Sequence, residues 1–142
     1  MKEVSKIGLD NGIYVKSNKR ELVREDLPTI IKYPFEKDYG NGIEICYSRK
    51  WWGVRTQLIS EIKWDAIDND YYFFIERPEE VIHMIEIIAS WFDEDRWENE
   101  GSSIWTYDEA RYNLRNWIIN LSIIYGYMLE NPDIYLVYYD SY

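Results

Sequence analysis

The sequence predicts one α+β domain spanning residues 1–142, with a mixed or antiparallel sheet of about five to six strands and three helices mainly on one face. Three observations predict it. Short runs with strand character come first, and the later ones lie between and after helical stretches in the order helix, strand, helix, helix, strand. Three stretches carry apolar residues at the 3.6-residue period of a helix with one buried face. The chain is 142 residues long and 46% hydrophobic, enough for a sizeable core.

Val4 to Ser17 reads as a β-hairpin. VSKIGL and IYVKS flank Asp10-Asn11-Gly12, residues that tolerate the positive φ of a short turn. Asn18 to Asp26 is mostly charged, a loop or a short helix, and Leu27-Pro28 ends it. Thr29 to Tyr33 has strand character up to Pro34, and EKDYGNG is a polar turn. Ile43 to Tyr47 is a short strand. At Ser48 the period changes to about 3.6, with Trp51, Arg55, Leu58 and Ile62 on one side and Trp52 and Ile59 beside them. Ser48 is the expected N-cap of that helix. Trp64 to Asp70 is a polar linker. Tyr71 to Ile75 has no polar face, which predicts a place in the middle of the sheet.

Pro78 belongs in a first helical turn, with Glu79 and Glu80 suited to its positive end. Val81, Ile85, Ile88 and Phe92 follow in a stripe flanked by Ile82 and Ala89. Asp93 to Ser103 reads as an acidic loop. Thr106 and Glu109 form a capping box, and Ala110, Leu114, Trp117, Leu121, Ile124 and Met128 continue that helix until Asn131-Pro132 stops it. Ile134 to Tyr139 is a last strand, apolar on both sides.

Charge narrows the function. The net charge of −10 argues against direct nucleic-acid binding, which needs a basic footprint. Residues 1–63 hold 12 Lys/Arg and 9 Asp/Glu, a net +3, whereas residues 64–142 hold 4 and 17, a net −13. The acidic part is either a solubilising surface or a docking surface for a basic partner. Asp93, Glu94, Asp95, Glu98 and Glu100 are its densest group. They lack the alternating ligands and central glycine of a calcium loop, so no metal and no cofactor is expected. Cys46 is the single cysteine and His83 the single histidine, which leaves no internal disulfide, multi-Cys or multi-His centre. There is no glycine-rich phosphate loop. No apolar run is long enough for a membrane span, and the N-terminus has no signal-peptide block, so the expected address is cytoplasmic.

The positive candidate is an anion or nucleotide site. Arg49 and Lys50 directly after the Ser48 cap would double the positive end of a helix. Arg111 and Arg115 share a helix face apart from the Ala110–Leu114–Trp117 stripe. With Tyr47, Trp51, Trp52, Tyr107 and Tyr112 they offer guanidinium groups beside aromatic planes, which suits a phosphorylated nucleotide. The competing reading is that these cations pair with the many carboxylates. Aromatic residues are 18% of the chain, and much of this falls at strand and helix core spacing.

Tyr47-Ser48-Arg49-Lys50, Asp70-Tyr71-Tyr72, Tyr107-Asp108-Glu109 with Tyr112, and Val137-Tyr138-Tyr139-Asp140-Ser141 occur in that order. In this the chain from residue 47 to 142 resembles a family of uncharacterised phage and prophage proteins. Its members open a helix with Tyr-Trp-Arg-Lys and end on an aromatic strand. Ser48 stands where the motif has Trp, and Val54-Arg55 where Ile-His is usual. The resemblance implies a phage or mobile-element origin, in the cytoplasm of a bacterial host, and no particular chemistry.

The function expected is therefore that of a non-enzymatic accessory protein binding a host defence factor stoichiometrically, through its acidic surface or by sequestering a small nucleotide. Two alternatives stand beside it: an immunity protein against a basic toxin nuclease, and a carboxylate-dependent enzyme on a phosphorylated substrate. Self-association through exposed Trp or Tyr is a further expectation.

Overall fold

The computed structural model describes residues 9–38, 42–62, 72–102 and 104–141. Strands β1 (Asp10–Ser17), β2 (Ile43–Arg49), β3 (Tyr72–Ile75) and β4 (Ile134–Ser141) form one open antiparallel sheet in the order β2-β1-β4-β3. The helices are α1 (Trp52–Ile62), α2 (Pro78–Ala89), the short α3 (Glu94–Arg96), which runs into a π turn at Trp97–Gly101, and α4 (Tyr107–Glu130). The α+β class holds. Among the described residues the sheet has four strands rather than five to six, and there are four helices rather than three.

Asp10-Asn11-Gly12 is not a turn but the start of central strand β1. Each of the three residues has a partner on both sides, Gly12 opposite Tyr47 and Tyr139, and Asn11 opposite Ser48 and Asp140. A ladder on both flanks outweighs local turn preference. Asn11 is buried and its amide is a cross-link: Nδ2 donates to Tyr138 Oη at 3.0 Å and Oδ1 accepts the Trp51 N–H at 3.3 Å. The first arm of the expected hairpin, residues 1–8, and the linker at residues 63–70 with Tyr71 lie outside the described residues.

Thr29 to Tyr33 is irregular rather than a strand. Asn120 of α4 takes the place of a neighbouring strand. Its Oδ1 accepts the Lys32 N–H at 3.2 Å, and its Nδ2 donates to Lys32 O and Ile45 O, both at 2.8 Å. A buried amide that satisfies three backbone groups removes the need for a ladder there.

Ser48 does not cap a helix. It lies in β2 opposite Asn11, buried, with no hydrogen-bond partner for its hydroxyl among the described residues. The chain turns at Lys50, whose φ of 58° lies in the left-handed region, and α1 begins at Trp52. The doubled positive helix end is thereby removed: Arg49 ends a strand, and Lys50 is buried with its N–H donated to Leu9 O at 2.7 Å.

β3 lies at the sheet edge, not in the middle, and Tyr72 and Phe74 are 61% and 44% exposed. Its other face, Phe73 and Ile75, is core. Along α2 the buried positions are Val81, Met84, Ile87 and Ile88, followed by Trp91, while Ile82 and Phe92 are exposed. The stripe thus runs through Met84 and Trp91 rather than Ile85 and Phe92. Pro78 is at the helix start and Glu80 Oε1 accepts the Arg77 N–H at 3.2 Å, as the first-turn pattern predicts.

The α4 pattern holds throughout. Thr106 Oγ1 accepts the Glu109 N–H, Glu109 Oε1 accepts the Thr106 N–H, and all six predicted stripe residues are buried. Under α4 lies an indole cluster. Trp117 packs on Trp51 with ring centroids 4.9 Å apart, and Trp97 meets both Trp51 and Trp91 edge-on at 5.9 Å. Such ring pairs add about 0.5–1.5 kcal/mol each beyond their area. Among the described residues no helix is long and apolar enough to cross a membrane.

Candidate functional site

The structure divides the predicted basic and aromatic set. Trp51 has no exposed surface and is the hub of the indole cluster, so it is no stacking plate for a ligand. Lys50 is buried beside it in the chain. Arg49 is exposed and lies 3.4 Å from Asp10 Oδ1, the oxygen that also accepts the Tyr47 hydroxyl at 2.7 Å. Burial first, and then this bond to Asp10, push the Tyr47 phenol well above its ordinary range. Trp52 is half-buried in a groove between α1 and the π turn, with Gln57, Trp91, Arg96 and Glu100.

Tyr107, Arg111, Tyr112 and Arg115 do come together. They line one shallow pocket with Phe92 and Asp108. The Arg111 guanidinium is 5.8 Å from the Tyr107 ring centre and that of Arg115 is 5.5 Å from Tyr112. Arg49 and Lys50 are not part of this pocket.

The stretch read as an acidic loop is an ordered turn. Asp93 caps α3 by accepting the Arg96 N–H at 3.1 Å, and the π turn drives Trp97 into the core, where Nε1 donates to Trp105 O at 2.8 Å. Gly101 passes so close to the Trp97 ring that a Cβ would overlap it, and a Cβ on Gly53 would overlap Glu100 O. Arg96, the one cation of the segment, folds back over the Trp91 ring at 3.7 Å and bonds Gln57 and Ser90. Asp93, Glu94, Asp95, Glu98 and Glu100 are all exposed on the outside of this scaffold. Glu98 Oε2 also accepts the Tyr107 N–H at 2.8 Å, at the positive end of α4. Among the described residues no group of three or more His, Cys, Asp or Glu is placed to hold a metal ion.

One functional candidate went unread in the sequence. Opposite the Ile13–Tyr14 step the register shifts, so that Ile13 faces Cys46 and Tyr14 faces Glu44. The extra residue, Ile45, makes a β-bulge, and its carbonyl is the one Asn120 takes up. The shift puts Glu44 on the outer face, with Tyr14, rather than on the core face with Cys46. There Glu44 Oε2 accepts the Tyr139 hydroxyl at 2.6 Å. Burial, with smaller contributions from the charges of Asp10 and Asp38, outweighs the Tyr139 bond and raises the Glu44 carboxyl from 4.5 to about 7. On the core face, burial pushes the Cys46 thiol up, leaving it inert. His83 is 3.2 Å from Glu61 on the outer side of α2.

No protein-family model, curated protein or solved structure matches the chain.

Proposed function

We propose that the protein is a non-enzymatic binding protein that acts stoichiometrically on a basic protein surface, with the carboxylates of the 93–100 turn as its contact. One observation carries this: five exposed carboxylates stand on a turn anchored by the fully buried Trp97, with the segment's only cation folded inward. A fixed acidic surface loses little conformational entropy on binding and steers a basic partner toward it. The resemblance to phage proteins makes a host factor the natural partner, and a basic toxin nuclease fits the same surface. NMR mapping of a blocked octalysine peptide on the labelled protein tests the contact. The expected footprint is concentrated between Asp93 and Asp108; an even spread over all exposed carboxylates overturns it.

A second reading has its own observation. Arg111 and Arg115 make no ion pair with any described residue, in a chain with 26 acidic side chains, and both lie over tyrosine rings in one pocket. That arrangement suits a nucleotide phosphate beside a stacked base. A thermal-shift screen against linear and cyclic nucleotides tests it. The reading requires a shift with one ligand that disappears in Arg111→Ala, and a flat screen ends it.

A further inference from the structure

The outer face of the sheet carries an arrangement that neither the acidic turn nor the arginine pocket uses. The Ile45 bulge turns Glu44 outward, and Gly12 in the adjacent central strand leaves the space for its carboxylate. Any side chain at position 12 would overlap both Glu44 Oε2 and the Tyr139 ring. Glu44 is only 8% exposed, yet it has no cationic partner among the described residues.

Around it the sheet presents aromatic rings. Tyr14 stacks on Tyr139 with centroids 4.9 Å apart and planes 23° apart, and Tyr72 is the cross-strand neighbour of Tyr139. Phe74 meets Tyr72 and Tyr135, both at 5.7 Å. The titratable groups that share this face with Glu44 are Tyr47 and Arg49 of β2, Asp10, Tyr14 and Lys16 of β1, Tyr135 and Tyr139 of β4 and Tyr72 of β3; Arg49 pairs with Asp10, and Asp38, before β2, adds its charge. Arg49 is engaged by Asp10 rather than by Glu44, so a desolvated carboxylate that Asp10 and Asp38 further disfavour as an anion is a poor place for a bare negative charge and a good one for a cation. A planar guanidinium satisfies both features at once, because it bonds a carboxylate and stacks on tyrosine faces.

We propose that Glu44 and the tyrosine faces of Tyr72 and Tyr139 form a receptor for an arginine side chain of a basic protein partner. The inference rests on the reading that the partner is basic, and adds a contact independent of the acidic turn. In the free protein a proton competes with the arginine, so binding is coupled to loss of that proton. With the Glu44 carboxyl at about 7, affinity rises about tenfold between pH 6 and pH 8.

The probe is acetyl-Gly-Arg-Gly-amide, with the uncharged citrulline peptide as control, titrated into the full chain with NMR detection of the Glu44 carboxyl and the tyrosine rings. The arginine peptide is expected to shift Glu44, Tyr72 and Tyr139 with about tenfold higher affinity at pH 8 than at pH 6. The citrulline peptide is expected to do nothing. Glu44→Gln, which keeps the shape of the side chain, abolishes the response, and Tyr72→Ala, at an exposed position, weakens it several-fold. Equal responses to both peptides, no dependence on pH, or an unchanged response in Glu44→Gln overturns the receptor. If it fails while octalysine still maps to residues 93–108, the acidic-turn reading stands without it.

Discussion

Glu44 carries a stability cost that can be read through pH. Its folded value of about 7 lies above its ordinary 4.5, so between those values the folded state binds more protons than the unfolded state. Stability therefore falls as pH rises through this window, and the whole penalty, on the order of 3 kcal/mol, is present above pH 7. Glu44→Gln has no such group to ionise. Urea unfolding at pH 5 and pH 8 should show a declining wild type and a Gln variant that is at least as stable as wild type at pH 8. Removing the Tyr139 hydroxyl in Tyr139→Phe takes away the bond that holds the carboxyl down, so its pKa should move further up, read by carboxyl NMR titration. Gly12→Ala forces a methyl into the space occupied by Glu44 and Tyr139, and a loss of about 1–3 kcal/mol is expected in the same unfolding measurement.

At the scale of elements, legibility followed locality. Helix α4 was readable because its cap, its stripe and its stop all lie within the segment itself. Asp10-Asn11-Gly12 was not, because what makes it a strand are partners at residues 47–49 and 139–141, far along the chain. Ser48 misled for the same reason: its local preference to cap lost to a ladder with Asn11. The exposed face of β3 was illegible because Tyr and Phe look alike in a core and on an open sheet. Of the site residues, Arg111 and Arg115 were placed rightly on one helix surface, but no local signal shows the bulge that turns Glu44 outward. The acidic turn hides its order in Trp97. Trp97→Ala should cost about 3–5 kcal/mol. Hydrogen exchange across residues 93–101 should then rise more than in Thr106→Ala, which loses only a cap worth about 1 kcal/mol.

For the molecule as a whole, the charge asymmetry becomes a surface once the turn at residues 93–101 is ordered rather than loose. Exposed charges are screened beyond a Debye length, about 8–10 Å at ordinary salt, so a partner held mainly by this surface must be salt-sensitive. The central claim is tested most directly by capturing partners from a bacterial extract side by side, with the wild type and with the triple variant Glu94→Gln/Asp95→Asn/Glu100→Gln. That variant leaves the capping Asp93 and the anchored Glu98 in place. Bound protein is quantified by mass spectrometry at about 50 mM and about 300 mM salt. The expected result is a basic protein held at a ratio near one by the wild type, much reduced at the higher salt and absent with the variant. The same protein held equally by both at either salt would show that the acidic turn is not the binding surface.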